Sequence, residues 1–105
     1  MSGTGQFLFA CGDFQQDAVQ EQVFGHRLSG KPDALVGYRR EPFVQPSSDT
    51  NERVDGMVFE VTEADLAAAD AHEPPNYSRS QVKTASGVLA WVYLRQIRPA
   101  GSSGG

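Results

Sequence analysis

Val61-Thr62-Glu63-Ala64-Asp65-Leu66-Ala67-Ala68-Ala69-Asp70-Ala71-His72-Glu73-Pro74-Pro75-Asn76-Tyr77 is the stretch from which the rest of the chain can be placed. Thr62 is suited to the N-cap of a helix, and Asp65, three residues on, is a shorter substitute for the acid of a capping box. Glu63 and Asp65 complement the positive end of the helix dipole. Ala and Leu then carry the helix to about Ala71. Pro74 and Pro75 end it, because each lacks an N–H and restricts the residue before it. Glu73 is thereby held at the helix exit, three residues after Asp70. The negative end of the dipole and a like charge on the same face would both disfavour its ionisation. A carboxyl tuned in this way suits general acid–base chemistry near neutral pH. The same residues also describe an acidic helix end facing solvent, and they leave both readings open.

Working outward, Val54–Val61 is rich in β-formers and alternates Met57, Phe59 and Val61 against Val58 and Glu60, the pattern of a strand that feeds directly into the helix. Beyond the prolines, Tyr77–Thr84 and Val88–Leu94 flank Ala85-Ser86-Gly87 as a hairpin. Its first strand is polar and its second apolar, which predicts an outer strand laid beside a central one.

Toward the N-terminus, Gln6-Phe7-Leu8-Phe9-Ala10 is a short apolar run, expected to be a strand buried on both faces. Cys11-Gly12-Asp13-Phe14 follows as a turn. A positive φ at Gly12 would let its amides converge into an anion- or carbonyl-binding nest, and an ordinary turn fits the residues as well. Asp17–Phe24 reads as a short amphipathic helix stopped by Gly25. Leu28–Asp33 reads as a turn cluster, Ala34–Arg40 as an extended segment broken at Gly37, and Gln45–Arg53 as a polar surface loop.

The chain has 105 residues and reads as one domain over 1–96, with a Gly/Ser-rich tail over 97–105 too poor in apolar surface to order itself. Its formal net charge of −4 and dispersed cations argue against nucleic acid as a partner. A single cysteine excludes an intrachain disulfide and favours a reducing, cytoplasmic setting. No run approaches the roughly 20 apolar residues of a membrane helix, so no membrane partner is expected. Cys11, His26 and His72 occur at no metal-ligand spacing, and neither nucleotide-binding fingerprint is present, so no metal and no cofactor are expected. Cys11 at a helix entrance would suit a nucleophile, or else a small buried core residue.

The order of these parts resembles the γ-glutamylcyclotransferase-like family, which includes the AIG2-like proteins. Leu8-Phe9-Ala10-Cys11-Gly12-Asp13-Phe14 stands where that family has Leu-Phe-x-Tyr-Gly-Thr/Ser-Leu. Gly37-Tyr38, the Val54–Val61 strand, Asp70-Ala71-His72-Glu73, Tyr77-Ser78-Arg79 and Ala90-Trp91-Val92-Tyr93 follow in the family's order. The resemblance implies an α+β fold, a small mixed β-barrel flanked by short helices. It further implies a cofactor-independent enzyme that releases 5-oxoproline from a small γ-glutamyl amine or related amide, working as a monomer or weak homodimer. Glu73 would be the catalytic acid–base, and Cys11, Gly12, Asp13, Phe14 and Tyr77 would bind substrate. The chain departs from the pattern at Cys11, Asp13 and Phe14, and an Asp13 side chain facing the site would repel the α-carboxylate of a γ-glutamyl substrate. The alternative is a catalytically silent small-molecule-binding or protein-interaction domain on the same scaffold.

Overall fold

A computed structural model describes residues 5–40 and 44–95; the expected tail, 97–105, and Phe43 lie outside the described residues. The elements are β1 (Gln6–Ala10), a 3₁₀ turn (Asp13–Gln15), α1 (Asp17–Phe24), β2 (Ser29–Val36), β3 (Tyr38–Arg39), β4 (Gln45–Pro46), β5 (Arg53–Val61), α2 (Glu63–His72), β6 (Tyr77–Lys83) and β7 (Leu89–Arg95). The strands β2-β5-β1-β7-β6 form a five-stranded sheet, and β3 and β4 pair separately.

The apolar run β1 lies in the middle of the sheet because both of its edges are taken. It is antiparallel to β5, with Leu8 opposite Phe59, and parallel to β7, with Leu8 opposite Trp91. Successive side chains of a strand point to opposite faces, so the sheet separates two cores. Leu8, Ala10, Phe59 and Val61 pack with Phe14 and with Leu66 and Ala69 of α2 on one side. Phe9, Val54, Val58, Leu35, Ala90 and Val92 pack together on the other. Gly56 allows β5 to approach β1 closely, since a Cβ there would run into the Ala10 carbonyl oxygen and the Phe9 ring.

Helix α2 begins as its sequence dictates. The Asp65 amide donates to Thr62 Oγ1 at 3.1 Å and the Thr62 amide to Asp65 Oδ2 at 3.0 Å, a complete capping box. Leu66 is 4% exposed and anchors the helix on the sheet. The polar strand β6 is the sheet's edge, and the apolar strand β7 lies between it and β1.

Three expectations are corrected. The turn cluster Leu28–Asp33 is mostly strand: β2 starts at Ser29 and pairs with β5 through Pro32, opposite Met57. A proline is tolerated there because β2 is an edge strand with one free side. The loop Gln45–Arg53 opens with β4, which pairs Pro46 with Tyr38 and Gln45 with Arg39.

The sheet is also not a closed barrel, since no ladder joins β2 to β6 among the described residues. It is instead curled and clasped at one end. The Ala85 amide, in the β6–β7 turn, donates to the Ala34 carbonyl oxygen of β2 at 2.8 Å. Asp33 accepts from Thr84 Oγ1 at 2.6 Å, from Ser86 Oγ at 2.5 Å and from the Ser86 amide at 3.1 Å. The mixed α+β class expected from the sequence stands, with an open sheet in place of the barrel.

Candidate functional site

Because β1 and β7 are parallel and adjacent, their carboxyl ends leave a crevice where the chain turns away from β1, the usual place for ligands in sheets with parallel strands. A cavity of about 160 Å³ lies there. One wall is the end of β1 and the following turn, from Phe9 to Phe14. Val92 and Tyr93 of the adjacent strand β7 line the cavity as well, together with Val44 and with Glu73 from the end of α2. Cys11, Gly12, Asp13, Phe14 and Glu73 thus line one cavity. Tyr77 does not: it lines a neighbouring hollow of about 300 Å³ with Asp70, Ser78, Arg79 and Trp91. Tyr93 borders both.

Glu73 is the C-cap of α2, its extended backbone (φ −75°, ψ 148°) turning the side chain out of the helix. Its amide donates to the Ala69 carbonyl oxygen at 3.1 Å, and its carboxyl forms no hydrogen bond with the described residues. Burial pushes this carboxyl above the usual glutamate range. His72 opposes the rise, and Asp13 and then Asp70 add to it. The direction agrees with the sequence, while the cause differs: desolvation leads, and the neighbouring acid that matters more is Asp13 of the turn after β1.

Asp70 has close partners of its own. It accepts Nε and Nη2 of Arg79 at 2.6 and 2.9 Å and the Tyr93 phenol at 2.6 Å. The Arg79 guanidinium lies 4.6 Å from the centroid of the Trp91 ring. These hydrogen bonds, the Arg79 pair first, hold the Asp70 carboxyl below its ordinary range against the effect of burial. Burial and then the bond to Asp70 push the Tyr93 phenol far up, so it stays a neutral donor. Tyr93, Asp70 and Arg79 form one supporting network behind Glu73. The sequence showed all three in its ordered pattern without indicating that the helix-end acid pairs across to the hairpin.

The turn after β1 is not a positive-φ nest: Gly12 has φ −140°. A 3₁₀ turn follows it instead. Its first bonded amide is that of Gln15, donating to the Gly12 carbonyl oxygen at 3.0 Å, followed by Gln16 to Asp13 at 2.9 Å. The Asp13 and Phe14 amides precede these bonds and are left unspent within the turn. Gln20, 2% exposed, locks the turn to α1: its Nε2 donates to the Phe14 carbonyl oxygen at 2.7 Å, and its Oε1 accepts the Leu28 amide at 2.8 Å. In sequence Gln20 is one of several polar residues of α1, and only the packing singles it out. Phe14 is buried, its ring 5.4 Å from that of Phe24 and 5.5 Å from that of His72.

Burial raises the Cys11 thiol above its usual range, with Arg40 acting weakly in the other direction, which makes it a poor nucleophile. Among the described residues no three of His, Cys, Asp and Glu converge as a metal-binding set. The large apolar side chains exposed among the described residues are Val36 and Leu89, and no helix among them is long and apolar enough to cross a membrane.

The family model described as gamma-glutamyl cyclotransferase, AIG2-like, matches residues 8–103. Two solution structures of Arabidopsis thaliana proteins have a similar fold. The first is 22% identical with a TM-score of 0.74, over 86% of this chain and 61% of that protein. The second is also 22% identical with a TM-score of 0.75, over 90% of this chain and 72% of that protein. The chain therefore spans about three fifths of the first neighbour's length. No curated protein matches it.

Proposed function

Since the chain belongs to the gamma-glutamyl cyclotransferase, AIG2-like family, we propose that it is a cofactor-independent cyclising enzyme of the cytoplasm, releasing 5-oxoproline from a γ-glutamyl amine or related amide. The observation that carries this reading is that Glu73, its carboxyl unpaired and its pKa raised, lines one cavity with the turn after β1, whose Asp13 and Phe14 amides make no bond within the turn.

In this mechanism the substrate's α-amine attacks its own γ-carbonyl carbon. The reaction is intramolecular, so holding the chain folded back on itself supplies much of the acceleration. Glu73 takes a proton from the attacking nitrogen and returns one to the departing amine, a task for which a carboxyl tuned toward neutrality is fitted. The Asp13 and Phe14 amides stabilise the oxygen that gains charge at the tetrahedral stage. Cys11 and Phe14 act as walls and Gly12 as the approach for the substrate's backbone. Tyr77, in the adjoining hollow, contacts the far part of a larger substrate. At about 160 Å³ the cavity lies below the roughly 300–1,000 Å³ of drug-sized sites, so it takes the glutamyl head and leaves the amine outside. The protein works as a monomer or weak homodimer.

Incubation with a panel of γ-glutamyl amines and amino acids, with 5-oxoproline as the readout, tests the reading. Glu73→Gln keeps the shape without the titrating group and should abolish turnover while ligand binding persists. Undiminished product in that variant would remove Glu73 from its role. A second reading, a ligand-binding domain without turnover, is supported by the acid at Asp13 in place of the family's Thr or Ser. Binding without product from any member of the panel would favour it.

A further inference from the structure

We propose that Asp13 is a specificity-determining residue: it selects γ-glutamyl amines whose leaving group carries a second, protonated amine, and it discriminates against leaving groups that carry a carboxylate. The inference rests on the cyclising reaction proposed above and concerns the outer part of the same site.

The described walls of the cavity are charged in one sense only. Among the described residues Asp13 and Glu73 are its acids, Cys11 and Tyr93 are neutral, and no Lys, Arg or His lines it. Charged groups of the described residues beyond the walls act on other groups. Asp70 and Arg79 neutralise each other. Arg40 acts on the Cys11 side of the cavity, and His72 acts on Glu73. Asp13 itself is exposed, and its side chain makes no hydrogen bond or ion pair with a described residue. Its charge is therefore not used in holding the fold together and stands at the cavity mouth, where a leaving amine would emerge.

The chemistry makes the leaving group the part that is sorted. The bond from the α-amine nitrogen to the γ-carbon forms, and the bond from that carbon to the leaving nitrogen breaks. One proton passes by way of Glu73 from the first nitrogen to the second, and no oxidant or reductant is needed. Every substrate of this class carries the same glutamyl head, so whatever Asp13 does to the α-carboxylate is common to all and cancels between them. Only the charge at the far end of the amine differs. An exposed carboxylate a few ångströms from that charge favours a cation and opposes an anion by a factor of several each, an effect that salt screens.

The test uses the full chain and three conjugates of matched length: γ-glutamyl diaminobutane, γ-glutamyl butylamine and γ-glutamyl aminobutyrate, with leaving groups that are cationic, neutral and anionic. The expected kcat/KM for 5-oxoproline release falls in that order, the ends separated by about tenfold at low salt and converging at high salt. Asp13→Asn should collapse the separation and Asp13→Glu should keep it. Equal rates for the three conjugates, or a separation unmoved in Asp13→Asn, would overturn the proposal. If none of the three yields 5-oxoproline, the cyclising reaction is wrong for these compounds, and calorimetric binding of the same three decides the role of Asp13. A preference for the cationic compound that disappears in Asp13→Asn sustains selection by Asp13; equal affinity, or no binding, ends it.

Discussion

Tyr93 donates its phenol proton to Asp70 Oδ1 at 2.6 Å, which ties β7 to α2 three residues before Glu73. Tyr93→Phe keeps the ring in the cavity wall and removes this bond, and should cost about 0.5–1.5 kcal/mol by urea denaturation. Asp70→Asn should cost more, about 1–3 kcal/mol, because it also deprives the Arg79 guanidinium over Trp91 of its charged partner. A smaller loss in Asp70→Asn than in Tyr93→Phe would contradict the network as drawn.

The raised pKa of Glu73 has a consequence for stability that runs opposite to that of most surface acids. A carboxyl that binds its proton more tightly in the folded than in the unfolded state contributes fully below its unfolded pKa, near 4.5, and loses that contribution as pH rises through the folded value. At pH 7 Glu73→Gln should therefore be at least as stable as the natural chain, with any gain shrinking toward pH 4. Thermal melts of the two proteins across that range check the sign. A variant less stable at pH 7 than at pH 4, relative to the natural chain, would show that the carboxylate is held by partners and not merely buried.

His26 presents both ring nitrogens to acceptors, Nε2 to Asp65 Oδ1 at 2.8 Å and Nδ1 to the Arg27 carbonyl oxygen at 3.0 Å, so the doubly protonated ring satisfies both. The bond to Asp65 first, then that to Arg27, raises its pKa above 6.5. Asp65 is lowered below 3.8, its capping bond to the Thr62 amide and its bond to His26 outweighing burial. The sign is that the His26 contribution is complete below about 6.5 and lost as pH rises past its folded value. The Asp65 contribution is lost as pH falls through its own. Proton NMR titration should place the His26 midpoint above 6.5, and Asp65→Asn should bring it down.

Asp33 serves as the clasp between β2 and the β6–β7 turn, and its variants should loosen that end of the sheet. Asp33→Ala leaves the buried Thr84 hydroxyl and the Ser86 amide without their acceptor, an expected loss of about 2–3 kcal/mol. Hydrogen exchange should quicken at the Ala85 and Ser86 amides before the β1 and β5 amides. Although burial alone would raise it, the bonds from Ser86, Thr84 and Ala34 lower the Asp33 pKa, so its contribution is present above about 3.8 and fades as pH falls through the folded value.

Local signals carried much of this fold. The capping residues of α2, the stop at Gly25 and the polar-then-apolar hairpin each act over a few residues, and each is visible in the string of letters. What the letters conceal is set by distant partners. Ser29–Asp33 resembles a turn because Gly30 and Pro32 are turn residues, and it is a strand because β5 offers it an edge. The pairing of Asp70 with Arg79 and Tyr93, the burial of Gln20 and the placement of Tyr77 outside the Glu73 cavity depend on how α2 lies over the hairpin, which no short-range pattern specifies. The open sheet in place of a barrel reflects the same limit: strand content was legible, and the closure between the two outermost strands was not.

The position of β1 bears on how the protein is made. Its partner β7 comes from the far end of the described chain, with Gln6 Oε1 accepting the Trp91 indole N–H across 85 residues. During synthesis β1 leaves the ribosome before β7, as an apolar run one side of which stays uncovered until β7 has been translated. Such an edge is open to pairing with a neighbouring nascent chain, and its late, long-range closure slows folding. A shortened product that stops before β7 would have neither the centre of its sheet nor the Val92 and Tyr93 wall of its cavity.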